Sequence, residues 1–189
     1  MLVAICGSQG TGKSTILQNI TLQRPGCNVI TRKTSRSILS EWNVQLKDVY
    51  SSPEIMRSFQ DELLKRKLID DKKIDQKIIN FTERSFVDLF VYSLVVMGSN
   101  NKYSEWIDNY YSMCCEANKI YDYVFYVNRG VFDVEDDGTR STNSHFSKLI
   151  DQTMLTYSNE MYDAGTKFIK LESTTPDERV TEIINYIYQ

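Results

Sequence analysis

The chain has 189 residues of ordinary globular composition, 41% hydrophobic and 25% charged, with a formal net charge of −3. This size favours one domain, residues 1–189, and the slightly acidic balance argues against a surface that coats nucleic acid generally, while allowing a local basic groove. The longest apolar run, residues 87–97, is too short to cross a membrane, no signal peptide is evident, and four cysteines without metal-ligand spacing indicate a cytoplasmic protein with reduced thiols.

The first predicted elements are a short buried strand over Leu2–Ile5 and a helix that begins at Ser14. Between them, CGSQGTGKST fits the spacing G-x-x-x-x-G-K followed by Ser or Thr. Glycines let the backbone point N–H groups at phosphate oxygens, Lys13 would contact the β- and γ-phosphates, and the Ser14 hydroxyl would bind Mg²⁺. A glycine-rich turn without function is the alternative, but strand, spacing, lysine, hydroxyl and helix all agree with a nucleoside-triphosphate site. The residues predicted to bind ATP and Mg²⁺ are Gly7, Ser8, Gln9, Gly10, Thr11, Gly12, Lys13, Ser14 and Thr15.

Strand and helix patterns then alternate along the chain. Further strands are predicted over residues 28–31, 77–82, 121–127 and 166–172. Helices are predicted over residues 34–42, 53–68, 85–97 and 103–117, then around Phe146–Met154 and after Thr175. This order predicts an α/β fold with a five-stranded parallel sheet and helices on both faces. Ligands bind beyond the carboxyl ends of such strands, so the residues that follow each strand are candidates for the site.

Two charged residues, Glu83 and Arg84, end the third predicted strand in the sequence TERS. A carboxylate here can hold Mg²⁺ through water or accept a proton from an attacking hydroxyl, and an arginine can bind phosphate. The alternative is a plain helix start, with Ser85 as N-cap and a surface ion pair. Because the triphosphate site lies at the same edge of the sheet, we predict that Glu83 binds Mg²⁺ or acts as a base and that both residues are catalytic.

Three cations follow the second predicted strand in the sequence TRKTSR: Arg32, Lys33 and Arg36. They suit a phosphate-bearing or polyanionic acceptor, although a solvated helix start is the alternative. No Asp or Glu directly follows this strand. A phosphate acceptor is already ionised and needs no general base, so the pattern favours phosphate over a free hydroxyl.

The segment 128–144 is long and polar and predicts a lid. Gly138 gives the segment conformational freedom, and Arg140 can stabilise the charge that develops on a transferred phosphoryl group. An ordinary surface loop is the alternative. We predict that Arg140 is a catalytic residue.

These motifs together resemble the P-loop nucleoside and nucleotide kinases. TERS is similar to the E-R-S motif of deoxynucleoside kinases and to the D-R motif of thymidylate and related kinases. More of the chain resembles a small family of AAA-type P-loop domains that includes nicotinamide riboside kinase and phage-encoded nucleotide or DNA-base kinases. The residues that carry this wider resemblance are the P-loop, Arg36, Gln60 with Glu62, ERSFVDLFVY and VEDDGTR.

The resemblance implies a P-loop NTPase fold with a lid, the E-R roles for Glu83 and Arg84, an acceptor-facing Asp88 and a lid arginine at Arg140. Family members commonly carry an acidic residue and an Ala-Arg pair where this chain has TRKTSR. Many deoxynucleoside kinases also carry several lid arginines, whereas the stretch VEDDGTR within this lid has one. Both departures argue against a free-nucleoside acceptor.

The sequence therefore predicts Mg²⁺- and ATP-dependent phosphoryl transfer to a nucleotide-type acceptor, most simply a deoxynucleoside monophosphate. A second hypothesis is a kinase of 5-hydroxymethyluracil in phage DNA, acting in the host cytoplasm with Glu83 or Asp88 as base. A third is a nucleotide-hydrolysing switch or regulatory ATPase, which the kinase-like TERS segment disfavours. The acceptor base and the oligomeric state stay open, and a homodimer is compatible with the sequence.

Overall fold

The computed structural model describes residues 1–30, 35–129, 143–162 and 165–188. Three predicted site residues, Arg32, Lys33 and Arg140, lie outside the described residues, as does most of the predicted lid. Their roles stay predictions.

A five-stranded sheet runs through the described part of the chain. Its strands are β1 (Leu2–Cys6), β2 (Asn28–Ile30), β3 (Asn80–Glu83), β4 (Tyr123–Tyr126) and β5 (Lys167–Lys170). They lie in the order β2-β3-β1-β4-β5, and every neighbouring pair is parallel. The predicted five-stranded parallel sheet is therefore confirmed.

Eight α-helices are described. They are α1 (Lys13–Gln23), α2 (Ser35–Trp42), α3 (Leu46–Ser51), α4 (Pro53–Asp71), α5 (Phe86–Met97), α6 (Ser104–Asn118), α7 (Ser144–Met161) and α8 (Pro176–Ile187). The sequence did not predict α3, because six residues are too few to show a helical period. A capping box between Gln45 and Asp48 stabilises its first turn.

Several predicted boundaries differ from the structure by a few residues, those of α4 and β3 among them. Helix α4 runs to Asp71 rather than ending near Leu68. Strand β3 begins at Asn80 rather than at residue 77, because the Asn80 side chain donates hydrogen bonds to the carbonyls of Asp75 (2.7 Å) and Ile78 (3.1 Å). These bonds close a turn immediately before the strand.

The side chains of β1 alternate between two buried cores, one on each face of the sheet. Leu2, Ala4 and Cys6 pack in the cluster that contains residues of α5, α6 and α7. Val3 and Ile5 pack in the cluster that contains residues of α1 and α8. Helices therefore cover both faces, as predicted.

The four cysteines are free thiols, as expected. Among the described residues, no helix combines the length and the apolar character that a membrane span requires.

Candidate nucleotide-binding site

The loop between β1 and α1 takes a backbone path that depends on glycine. Gly7 has φ +140° and Gly12 has φ +87°, and residues with a side chain rarely adopt either value. A Cβ atom on Gly7 would lie 2.7 Å from the Val127 carbonyl oxygen, at the end of β4. The glycine spacing recognised in the sequence is thus required both by the conformation of this loop and by its close approach to β4.

Two buried polar groups in this loop fit a phosphate ligand. The Ser8 hydroxyl is fully buried and has no hydrogen-bond partner among the described residues. Lys13 is 4% exposed, and its ammonium donates to the Ser8 carbonyl (2.5 Å) and to Thr11 Oγ1 (3.2 Å). Burial, with a further contribution from the Arg84 guanidinium, lowers the pKa of Lys13 from 10.5 to about 8. Phosphate oxygens would satisfy the hydroxyl and stabilise the charged form of the lysine.

Ser14 and Glu83 come together although they lie on different elements. Strand β3 pairs with β1 so that Glu83 lies opposite Ile5, and this register brings the Glu83 carboxylate to the start of α1. The Ser14 hydroxyl lies 3.5 Å from Glu83 Oε2. Hydroxyl and carboxylate oxygens are ligands that Mg²⁺ accepts. The described ranges contain no cluster of three or more His, Cys, Asp or Glu residues suited to a metal, so Mg²⁺ here would also need phosphate or water oxygens.

Arg84 stands in an unusual conformation directly after β3. Its φ is +65°, and its backbone N–H donates to the Ile5 carbonyl at 2.8 Å. Its guanidinium lies over the Tyr92 ring, 5.3 Å from the ring centre, and 3.6 Å from Asp88 Oδ1. A non-glycine residue held in the left-handed region is often found at a functional site. This turn places the arginine side chain against α5, beside Asp88 and Tyr92.

Asp88 organises the same corner of the molecule. Its Oδ2 atom accepts hydrogen bonds from the backbone N–H (2.8 Å) and the hydroxyl (3.0 Å) of Ser85, which caps α5. Its Oδ1 atom lies 3.4 Å from the Gly7 nitrogen and 3.6 Å from Arg84. The helix start proposed as an alternative to a functional TERS segment is therefore present, and the site residues lie beside it.

A cavity of about 370 Å³ adjoins these residues. Its apolar walls come from α2, α3, α4 and α5, and include Leu39, Val49, Met56, Phe59, Leu89 and Tyr92. Its polar lining includes Gln9, Ser14, Arg36, Gln60, Glu83, Arg84 and Asp88. The structure thus brings together residues from the P-loop, the TERS segment and the basic segment after β2.

Several residues around the site were not predicted. Tyr50 lines the cavity from α3, the helix that the sequence did not reveal. Lys67 lines it from α4 and forms a buried ion pair with Asp71, whose i,i+4 spacing resembles that of a surface pair. Arg179 on α8 is buried and reaches the P-loop. Its position four residues before the buried Ile183 was a signal that this arginine lies on the inner face of the helix.

Solved structures share this fold. Deoxyadenosine kinase from M. mycoides with bound dATP has a TM-score of 0.72 at 18% identity, with 100% of both chains covered. The same enzyme with the products dCMP and a flexible dCDP has a TM-score of 0.69 at 19% identity, covering 100% of this chain and 98% of that chain. Thymidylate kinase from Candida albicans has a TM-score of 0.62 at 15% identity, covering 99% and 90%. The predicted P-loop kinase fold is confirmed, whereas no curated protein matches the chain in sequence.

A protein-family model described as an AAA domain matches residues 2–179. The match begins in β1 and ends in α8, so it includes the P-loop, the TERS segment and the cavity walls. The extent of this match shows that the chain belongs to the AAA domain family, in agreement with the AAA-type P-loop resemblance of its motifs.

Proposed function

We propose that this chain transfers the γ-phosphoryl group of ATP, with Mg²⁺, to a nucleotide-type acceptor, most simply a deoxynucleoside monophosphate. The observation that carries the proposal is the shared cavity, which Gln9 and Ser14 line from the P-loop and Glu83 and Arg84 line from the end of β3. A donor on the P-loop and an acceptor in the cavity would meet at these residues. Proteins of this fold with nucleotide ligands or substrates, the M. mycoides deoxyadenosine kinase and the Candida albicans thymidylate kinase, support this assignment.

The residues of the P-loop and of the end of β3 have separate roles in the proposed phosphoryl transfer. Bound Mg·ATP supplies the phosphoryl group, and phosphoryl transfer depends mainly on positioning and charge stabilisation. Lys13 supplies a buried positive charge, and Ser14 with Glu83 supplies the oxygen pair that would hold Mg²⁺. Arg84 supplies a guanidinium on the cavity side, where it can bind phosphate. Asp88 orients that guanidinium from 3.6 Å while it lines the acceptor cavity.

The cavity offers apolar surface for a base and charged side chains for a phosphate. Its aliphatic and aromatic walls offer the apolar surface that a planar base requires, and the amide of Gln60 offers both a donor and an acceptor. Arg36 lines the cavity from the first turn of α2, where the helix dipole also favours an anion. Arg32 and Lys33, which precede Arg36 in the sequence, would add further positive charge. An acceptor that already carries a phosphate matches this arrangement.

Glu83 supports a second candidate function, the phosphorylation of a hydroxymethylated base in DNA. Its carboxylate borders the cavity and lies near the triphosphate loop, where it could take the proton of an attacking hydroxyl. Enzymes that act on a base within DNA turn it out of the stack into a pocket, and a polyanion would engage the three cations after β2. This candidate requires the same donor site and differs only in the acceptor.

A screen with radiolabelled ATP distinguishes these functions. Wild-type protein is incubated with nucleosides, deoxynucleoside monophosphates, plain DNA and hydroxymethyluracil-containing DNA. We expect label in a monophosphate. Label only in the modified DNA would overturn the first proposal in favour of the second, and release of phosphate without transfer would favour a regulatory ATPase.

The salt dependence of acceptor affinity distinguishes a monophosphate from a DNA acceptor, and substitution of Arg36 tests whether this residue binds the acceptor. A DNA acceptor would release counterions, with a logarithmic slope of roughly −0.9 per duplex contact or −0.7 on single strands, so three contacts give about −2 to −3. A monophosphate contacts few cations and should lose affinity gently with salt. We expect Arg36→Gln to raise the acceptor KM and to leave the ATP KM unchanged. Lys119→Gln, at an exposed position directly after α6 that does not line the cavity, should change neither. Unchanged acceptor KM in Arg36→Gln would exclude this residue from the acceptor site.

A further inference from the structure

Helix α8 carries a buried arginine in its first turns. Thr175 caps this helix and Pro176 begins it. Arg179 follows one turn later and is 1% exposed. A buried guanidinium is costly unless its N–H groups are hydrogen-bonded, so its contacts indicate what it does.

Within the described residues, the Arg179 guanidinium donates to three backbone carbonyls. Nη1 donates to Thr11 at 3.0 Å, Nε to Ser173 at 2.9 Å and Nη2 to Asn128 at 3.3 Å. Thr11 follows β1, Asn128 follows β4 and Ser173 follows β5. One side chain therefore joins three loops at the carboxyl edge of the sheet, the edge at which such folds bind ligands.

The contact with Thr11 lies within the P-loop itself. A loop that turns its N–H groups toward an anion needs hydrogen-bond donors for carbonyls on its outer side. Thr11 Oγ1 also donates to the Ser8 carbonyl and accepts from the Lys13 ammonium. Arg179 thus binds the residue that supports the phosphate-contacting lysine.

Further bonds stiffen the same set of loops. The Asn128 side chain donates to the Leu171 carbonyl at 2.6 Å. Glu182, one turn after Arg179 on α8, accepts from the backbone N–H groups of Glu172 (3.1 Å) and Ser173 (2.9 Å). Helix α8 therefore holds the loop after β5 through both a carbonyl and two N–H groups.

We propose that Arg179 is a positioning residue for the triphosphate: it holds the P-loop and the loops after β4 and β5 in the arrangement that binds the donor nucleotide. Its planar fork suits this role, because three N–H groups point in fixed directions that a lysine cannot reproduce. This inference rests on nucleotide binding by the P-loop and is independent of the acceptor. Substitution of Arg179 removes neither Lys13 nor Ser14, but it releases the backbone that positions them.

Calorimetric titration with Mg·ATP and with Mg·tripolyphosphate tests this role in the full chain. Tripolyphosphate has no base or sugar and reports on the P-loop alone. We expect Arg179→Gln to weaken both ligands at least about tenfold, the change typical of losing a hydrogen bond from a charged group. Arg179→Lys keeps the charge but not the fork, so we expect a smaller loss, and this variant also serves if Arg179→Gln does not fold.

Val180→Ala is the matched control, because it destabilises the same helix from the adjacent buried position and its apolar side chain makes no hydrogen bond to the P-loop. We expect it to lower the thermal midpoint while both ligands bind within about twofold of wild type. Near-normal affinity in Arg179→Lys and Arg179→Gln would overturn the proposal, as would an equal loss in Val180→Ala. Wild-type protein that binds neither ligand would refute the nucleotide site itself, whereas binding without label in any acceptor would refute only the proposed kinase function.

Discussion

The buried ion pair between Lys67 and Asp71 allows a quantitative test of how β3 is held. The Lys67 ammonium lies 2.7 Å from Asp71 Oδ2, and the two side chains are 4% and 0% exposed. The Tyr121 hydroxyl donates to the same oxygen at 2.7 Å, and Thr82 Oγ1 donates to Oδ1 at 3.0 Å. Thr82 directly precedes Glu83, so this carboxylate anchors the strand end that carries the candidate metal ligand.

Removing one partner of a buried pair costs about 3–5 kcal/mol of unfolding free energy, because a charge stays buried without its counterion. Asp71→Asn leaves the ammonium facing a neutral amide and should lie at the upper end of this range. Lys67→Met leaves a carboxylate that still accepts from Tyr121 and Thr82, so it should lie at the lower end. The double variant buries neither charge, and we expect it to be more stable than Asp71→Asn, with a coupling free energy of at least about 2 kcal/mol.

Urea denaturation followed by circular dichroism measures all four proteins. The Lys119–Glu116 pair is the control, because its N–O distance is also 2.7 Å but its side chains are 55% and 75% exposed. Its coupling should be below about 1 kcal/mol. Equal coupling in the two pairs would refute the reasoning that burial makes the Lys67–Asp71 pair important. If the pair also positions Glu83, Asp71→Asn should lower kcat in the folded fraction, and an unchanged kcat would limit the pair to a role in stability.

Three further variants test the donor site. In Gly7→Ala the new Cβ would lie 2.7 Å from the Val127 carbonyl, at a φ of +140°, so we expect calorimetry to show loss of ATP binding, and normal affinity would contradict the backbone argument. Lys13→Ala should lower phosphoryl transfer at least ~10³-fold. Since burial lowers the pKa of Lys13, its charge opposes folding, so the thermal midpoint should not fall, and near-normal turnover would refute a catalytic role. Glu83→Gln keeps the volume and removes the charge, so steady-state kinetics should show a large fall in kcat with little change in the ATP KM, whereas a collapse of the thermal midpoint would indicate a structural role instead.

Local sequence patterns were sufficient to predict the nucleotide-binding loop and the presence of the five strands. The loop was predictable because its backbone requires glycine at particular positions, which leaves a recognisable spacing. Strand β1 was predictable because it is buried on both faces and therefore continuously apolar. The meeting of Ser14 with Glu83, 69 residues later, also followed from sequence, since the carboxyl ends of parallel strands lie at one edge of the sheet.

Other features required the tertiary structure. Lys67 and Asp71 have the spacing of a solvated helical pair. Only the packing of α4 against α5 and the hydrogen bond from Thr82 of β3 to Asp71 made that pair part of the core. The cavity combines short segments from four helices, one of which, α3, is too short for a periodic pattern. The shape of such a pocket depends on how helices pack, which no single segment contains.

The sequence by itself determined the fold class, the P-loop and the acidic and basic residues at the end of β3. Only the tertiary structure decided which side chains hold these segments in position, and Arg179 is the example. Arg179 donates to the carbonyl of Thr11, 168 residues earlier in the chain. Because every residue carries a backbone carbonyl, the sequence does not show which carbonyl accepts this hydrogen bond. Backbone preference and hydrophobic period are properties of neighbouring residues, whereas a hydrogen bond from a buried side chain to a distant backbone depends on where two segments meet after folding.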